Sequence, residues 1–155
     1  MNQDFCEFFA LLNARNVEFL LIGGVAYNYH APPRATKDID IWVRPQRANL
    51  ERLIAAIAEF GFPIDGLDVV DLESSERVLM LGRVPNRIDV LTRPKGPGWD
   101  EVWPHRVAAT YGEVPIQLIS AADLIAAKRA VGRPRDLADA ATLEEIEERR
   151  HNREP

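Results

Sequence analysis

Cysteine is nearly absent from this chain. Cys6 is the single one among 155 residues, so no intrachain disulfide can form and no cysteine-based zinc site can be built. That scarcity fits a reducing interior. Long apolar runs are lacking too, and none approaches the ~20 residues that a membrane helix needs. The opening MNQDFCEFFALL has neither the basic start nor the apolar stretch of a secretory leader. The expectation is a cytoplasmic protein with no membrane partner. Positive charge is in deficit: 19 Lys and Arg face 24 Asp and Glu, a net charge of −5. An acidic surface repels phosphate backbones, which excludes nonspecific DNA or RNA binding as the function. A local basic patch for one specific RNA remains open.

What is present is ordinary globular composition, 46% hydrophobic and 28% charged. Disorder, collagen and coiled coil are excluded for the chain as a whole. The length predicts one domain over residues 1–150, with a frayed tail at 151–155. Phe5, Phe8, Phe9 and Leu12 recur at helical spacing after Asp4. Glu18–Ile22 predicts a buried strand closed by Gly23-Gly24, and a short helix, Val25–His30, ends at Pro32-Pro33. Lys37–Val43 alternates like a strand. Leu50, Leu53, Ile54, Ile57 and Ala58 form the stripe of an amphipathic helix stopped by Gly61. Asp68–Leu72, Arg77–Leu81, Arg87–Leu91 and Val114–Leu118 are strand candidates, and Trp99–Thr110 is read as helical despite Pro104. Ser120 caps a helix to Val131, and Pro134 opens a last one to about residue 150.

Asp38 and Asp40 stand two apart on one predicted strand, so both carboxylates project to one face while Ile39 and Ile41 project to the other. Two acids side by side repel unless a cation lies between them, and Mg²⁺ takes oxygen ligands of this kind. Asp89 repeats the pattern in RIDVL. If its strand pairs near the first, three carboxylates converge, a set able to hold metal ions for an in-line phosphoryl displacement. The alternative is a row of solvated acids on an exposed sheet face. Gly23-Gly24 lies between a strand and a helix, where free backbone N–H groups and the helix dipole favour a phosphate. By itself such a turn needs no ligand. Arg34, Thr36 and the aspartate pair follow it within a few residues.

The stretch GGVAYNYHAPPRATKDIDIWV resembles the signature of the nucleotidyltransferase superfamily related to DNA polymerase β. More narrowly, it is similar to the small bacterial branch of minimal nucleotidyltransferases and abortive-infection-type toxins and antitoxins. Gly23, Gly24, Arg34, Thr36, Asp38 and Asp40 carry the match, and Asp89 corresponds to the third carboxylate. The resemblance implies an α/β (α+β) fold, a mixed sheet flanked by helices, here with a C-terminal helical hairpin. It implies transfer of a nucleoside monophosphate from an NTP substrate with Mg²⁺ as cofactor. Gly24 stands where many members have Ser, and Ala31 where related sequences often have Gly.

A second informative stretch is DLIAAKRAVGRPRDLAD. Lys128 falls within the apolar stripe of its helix, so it either snorkels, pairs with an aspartate, or reaches across the cleft to a phosphate. Asp136 and Asp139 follow on the next helix. An aspartate in a first helical turn also serves the helix dipole. The stretch resembles the later motifs of the abortive-infection branch, in which the Lys and an Asp are functional. That implies a role for Lys128 and for Asp136 or Asp139, without deciding between them. Arg133 and Arg135 either bind phosphate or are solvated, while His30 and Trp42 border the expected cleft and fit core packing better than chemistry.

The function expected is Mg²⁺-dependent NMP transfer to a hydroxyl of a protein, a tRNA or a small molecule, within a toxin–antitoxin setting. The other reading is a catalytically silent binding or antitoxin module. The short length favours a separate partner protein as acceptor, and counts against a small-molecule acceptor that would need a further domain.

Overall fold

The computed structural model describes residues 2–36, 38–83 and 85–153. Among them, helix α1 spans Gln3–Ala14, β1 Phe19–Ile22, α2 Gly23–His30, β2 Asp38–Val43, α3 Arg47–Phe60 and α4 Val69–Ser74. Then come β3 Leu79–Leu81, β4 Arg87–Leu91, α5 Trp99–Val102, β5 Val107–Tyr111, β6 Val114–Leu118, α6 Ala121–Val131 and α7 Pro134–Arg153. The predicted start of β2 at Lys37 and the last two residues of the predicted tail lie outside the described residues.

The six strands form one sheet in the order β3-β4-β2-β1-β6-β5. β2 runs antiparallel to β1 and parallel to β4, while β1 is parallel to β6, so the sheet is mixed. Each face follows from the alternation of strand side chains. On one side, Leu21, Ile39, Ile41, Val43, Ile88 and Val90 pack under the apolar stripes of α1 and α3, with Phe8, Phe9, Leu12, Leu50, Leu53 and Ile57 buried. On the other, Leu20 and Trp42 meet Ala26 and Tyr27 of α2, Trp99, Leu124 of α6 and Leu143 of α7. The second layer covers the sheet only in part. Asp38 and Asp40, on the same face as Trp42, remain half-buried.

Two expectations are corrected. Asp68–Leu72 is no strand: Asp68 accepts a hydrogen bond from the Val70 N–H and caps α4, and that cap outweighs a short apolar run. Trp99–Thr110 is not one helix. After α5 and a 3₁₀ turn at Trp103–His105, the chain enters β5, which pairs with β6 across a two-residue turn at Gly112-Glu113. Gly112 has φ of 59°, as a tight hairpin of this length requires. The last helix continues to Arg153.

Candidate active site

β2 and β4 run side by side in a register that pairs Asp38 with Arg87 and Asp40 with Asp89. Residues two apart on a strand share a face. The sheet therefore carries a square of four charged side chains, three acids and one arginine. The convergence expected of Asp38, Asp40 and Asp89 is thus present. Arg87 was missed, although the same alternation in RIDVL places it on the face of Asp89.

Arg87 holds the square together. Its Nη2 donates to Asp38 Oδ2 at 2.9 Å and to Asp89 Oδ2 at 3.1 Å. Its Nε lies 3.0 Å from Asp89 Oδ1 but is misaligned for a hydrogen bond, and both atoms are buried without a hydrogen-bond partner. Asp38 Oδ1 is likewise buried and accepts no bond. Among the described residues Asp40 makes no ion pair. Burial first, and then the charges of Asp89 and Asp38, push its carboxyl up to about 6, against the pull of Arg87 and Lys128.

These features fit a hard divalent cation: clustered carboxylates, two buried oxygens without donors, and one acid whose burial and negative neighbours raise the cost of its charge. Among the described residues no three acidic, histidine or cysteine side chains already form a metal cage. The guanidinium of Arg87, bonded to both Asp38 and Asp89, occupies ground between two of the acids.

The glycine turn closes one side of the square. Gly23 has φ of 64°, in the left-handed region, and a Cβ there would overlap Asp40 Oδ2. A Cβ on Gly24 would stand 2.5 Å from Thr36 Oγ1. Both glycines let the start of α2 lie flush against the end of β2. Ile22 supplies no side-chain cap, so the first N–H groups of α2 have no side-chain acceptor from it. Thr36 is exposed and donates its hydroxyl to the carbonyl of Asp38 at 3.2 Å.

The C-terminal hairpin contributes a second charged cluster. Asp139 receives Arg34 Nη1 and Nη2 at 2.8 Å each and Lys128 Nζ at 2.9 Å. Asp136 receives Arg133 at 2.8 Å and lies 3.9 Å from Lys128. Both aspartates are buried. Burial alone would raise Asp139; bonds from Lys128 and Arg34 outweigh it and hold its carboxyl below the usual range. Lys128, expected either to snorkel or to reach an anion, finds Asp139. The guanidinium of Arg34 stacks 4.4 Å over the Tyr27 ring, with Lys128 Nζ 5.7 Å from the same ring. Asn28 fixes the Arg34 backbone, accepting from its N–H at 3.0 Å and donating to its carbonyl at 2.8 Å. Tyr27 and Asn28 were not singled out from sequence; the i, i+6 spacing from Asn28 to Arg34 across a Pro-Pro turn was their only signal.

Not every bordering residue joins the site. His30 is buried with Nε2 2.8 Å from the Ile119 carbonyl. Trp42 donates Nε1–H to the Thr92 carbonyl at 3.0 Å and packs edge-on against Trp99. Both belong to the core. Arg135 is exposed.

Neither a family model nor a curated protein sequence matches the chain. Solved structures do. A lincosamide antibiotic adenylyltransferase, LnuA, in its lincomycin-bound form superposes with a TM-score of 0.60 at 16% identity, over 94% of this chain and 98% of that one. ANT(2″)-Ia in complex with adenylyl-2″-tobramycin gives 0.55 at 16% identity, over 96% and 93% of the two chains. An antigenic nucleotidyltransferase-like protein from Paracoccidioides brasiliensis gives 0.53 at 12%, over 94% and 77%. The mixed sheet, its flanking helices and the C-terminal hairpin are those of the nucleotidyltransferase fold, and that is the fold of this protein.

Proposed function

We propose that the protein is an Mg²⁺-dependent nucleotidyltransferase that moves a nucleoside monophosphate from an NTP to an acceptor hydroxyl. The observation that carries this reading is the square on β2 and β4, with Asp40 pressed against the glycine turn of α2 and two buried carboxylate oxygens lacking donors. Asp38 and Asp40 are the residues that would hold the cation, with Asp89 beside them. When bound, such a cation offsets phosphate charge and orients the reacting oxygens.

The remaining work falls to the chain itself. The N–H groups at the start of α2 receive phosphate oxygens of the NTP, which the glycines allow to approach closely. Arg34 and Lys128, held by Asp139, present positive charge to the triphosphate. The acceptor oxygen attacks the α-phosphorus, its proton passes to the Asp89 carboxylate, and the bond from that phosphorus to the bridging oxygen breaks to release pyrophosphate.

The acceptor is a hydroxyl of a small molecule. One neighbour of this fold supports an acceptor held without a further domain. Aligned over 98% of its length, the LnuA chain is no larger than this one requires, and its structure is lincomycin-bound. The test incubates the protein with each α-³²P-labelled NTP, Mg²⁺ and fractionated host lysate. Label in the small-molecule fraction, lost with Asp40→Asn, supports the reading. Label in protein or tRNA keeps the transfer and overturns the acceptor. No nucleotide binding at all would favour a silent binding module.

A further inference from the structure

Three acids and one arginine make an uneven set for two divalent cations. Asp38, Asp40 and Asp89 bring three negative charges to the square, and Arg87 returns one positive charge directly opposite Asp38. The remainder equals the charge of a single divalent ion. Position agrees with charge. Arg87 spans Asp38 Oδ2 and Asp89 Oδ2 with one nitrogen, at 2.9 and 3.1 Å, and brings Nε to 3.0 Å from Asp89 Oδ1. That is the ground a cation shared between these two acids would need. What stays open is the other side of the square, Asp40 and the unpartnered Asp38 Oδ1.

We propose that Arg87 takes the place of a second metal ion, so that the square binds one divalent cation, at Asp38 and Asp40, and Asp89 is kept off the metal. This rests on the reading of the site as a cation-binding one. A guanidinium suits the role because it is planar, permanently charged and able to serve two carboxylates at once. Its partners are tied to it by strand register rather than by a loop, which makes displacement costly. With Asp89 paired to Arg87 and not to a metal, its carboxylate keeps one orientation beside the site. Arg87 is a positioning residue in this scheme, acting through Asp38 and Asp89.

The test counts Mn²⁺ bound per chain in nucleotide-free protein at pH 8, from the loss of the free Mn²⁺ signal in electron paramagnetic resonance. The wild type is expected to bind one ion, Arg87→Met two, and Arg87→Lys one, because it restores the charge. Arg87→Met should also melt lower than wild type without metal and regain the difference in Mn²⁺, which a purely structural arginine would not do. Two ions in the wild type, one in a folded Arg87→Met, or an Arg87→Met chain that stays unfolded at every Mn²⁺ concentration would overturn the proposal. Asp40→Asn separates the two levels. If the wild type binds no Mn²⁺, or if Asp40→Asn retains the single ion, the cation site itself is wrong.

Discussion

Asp139 binds Arg34 through both of its carboxylate oxygens, at 2.8 Å each, and does so across 105 residues of sequence. The same carboxylate also takes Lys128 at 2.9 Å. One buried acid thus anchors two cations, and the two sides of the cluster are unequal. Asp139→Ala leaves Arg34 and Lys128 without their main partner and should cost about 3–5 kcal/mol. Lys128→Met leaves Asp139 with both Arg34 bonds and should cost less, about 1–2 kcal/mol. Urea melts of the two variants check the order. Lys128→Met as the more damaging change would show that Arg34 does not hold Asp139.

Arg34 itself tests geometry rather than charge. Lysine keeps the charge but loses the two parallel bonds and the stacking over Tyr27. Arg34→Lys should lower stability by roughly 1–2 kcal/mol and raise the KM for NTP more than it lowers kcat. An unchanged KM would remove Arg34 from triphosphate binding.

Asp40 predicts a pH dependence with a definite sign. Its carboxyl titrates near 3.8 in the unfolded chain and at about 6 in the fold. Between those values the folded protein holds the extra proton, so stability from this group is greatest near pH 4 and falls as pH rises to about 6, then levels. The fall should be roughly 2–3 kcal/mol at most. Asp40→Asn should flatten it and melt higher than wild type at pH 8 without metal. Asp139 acts in the opposite window: its lowered value stabilises the fold above pH 4, and that is lost only on further acidification. Thermal melts from pH 2 to 8 distinguish the two. A wild-type curve that rises with pH across 4–6 would contradict the environment described for Asp40.

The glycine turn offers a coupled pair. Gly24→Ala drives a methyl to within 2.5 Å of Thr36 Oγ1 and 2.9 Å of its Cβ. Thr36→Gly removes both atoms. The double variant should therefore be more stable than the sum of the single changes predicts, by on the order of 1 kcal/mol. Gly23→Ala has no such remedy, since its φ of 64° is strained for any side chain. Double-mutant melts measure the coupling, and strict additivity would mean that Thr36 is not the obstacle.

How far the sequence could be read depended on local signals. The helices α1, α3, α6 and α7 were legible because Phe8, Leu53, Leu124 and Leu143 sit in stripes of helical period bounded by caps such as Ser120 and Gly132. β2 was legible from strict alternation, which also placed Asp38 and Asp40 on one face. β5 was not, because VAATY precedes its partner and its hairpin turn carries only one glycine. The charged square needed the parallel pairing of β2 with β4, a long-range fact that no local pattern states. The choice between Asp136 and Asp139 was equally hidden. Both are acidic, buried and one helical turn apart; Asp139 pairs with Arg34 from the segment between α2 and β2, and Asp136 with the nearby Arg133.

The Arg34–Asp139 bond also orders events in time. A ribosome makes the earlier residue first, and 105 residues separate it from the later one. At synthesis rates of ~5–20 residues per second, the guanidinium waits roughly 5–20 s for its carboxylate. During that interval the sheet strands from β1 to β4 can pair, while Arg34 has no anchor. The growing chain therefore carries Asp38, Asp40 and Asp89 in place before Arg34 is fixed, and this part of the surface acquires its final charge pattern only as the last helix docks.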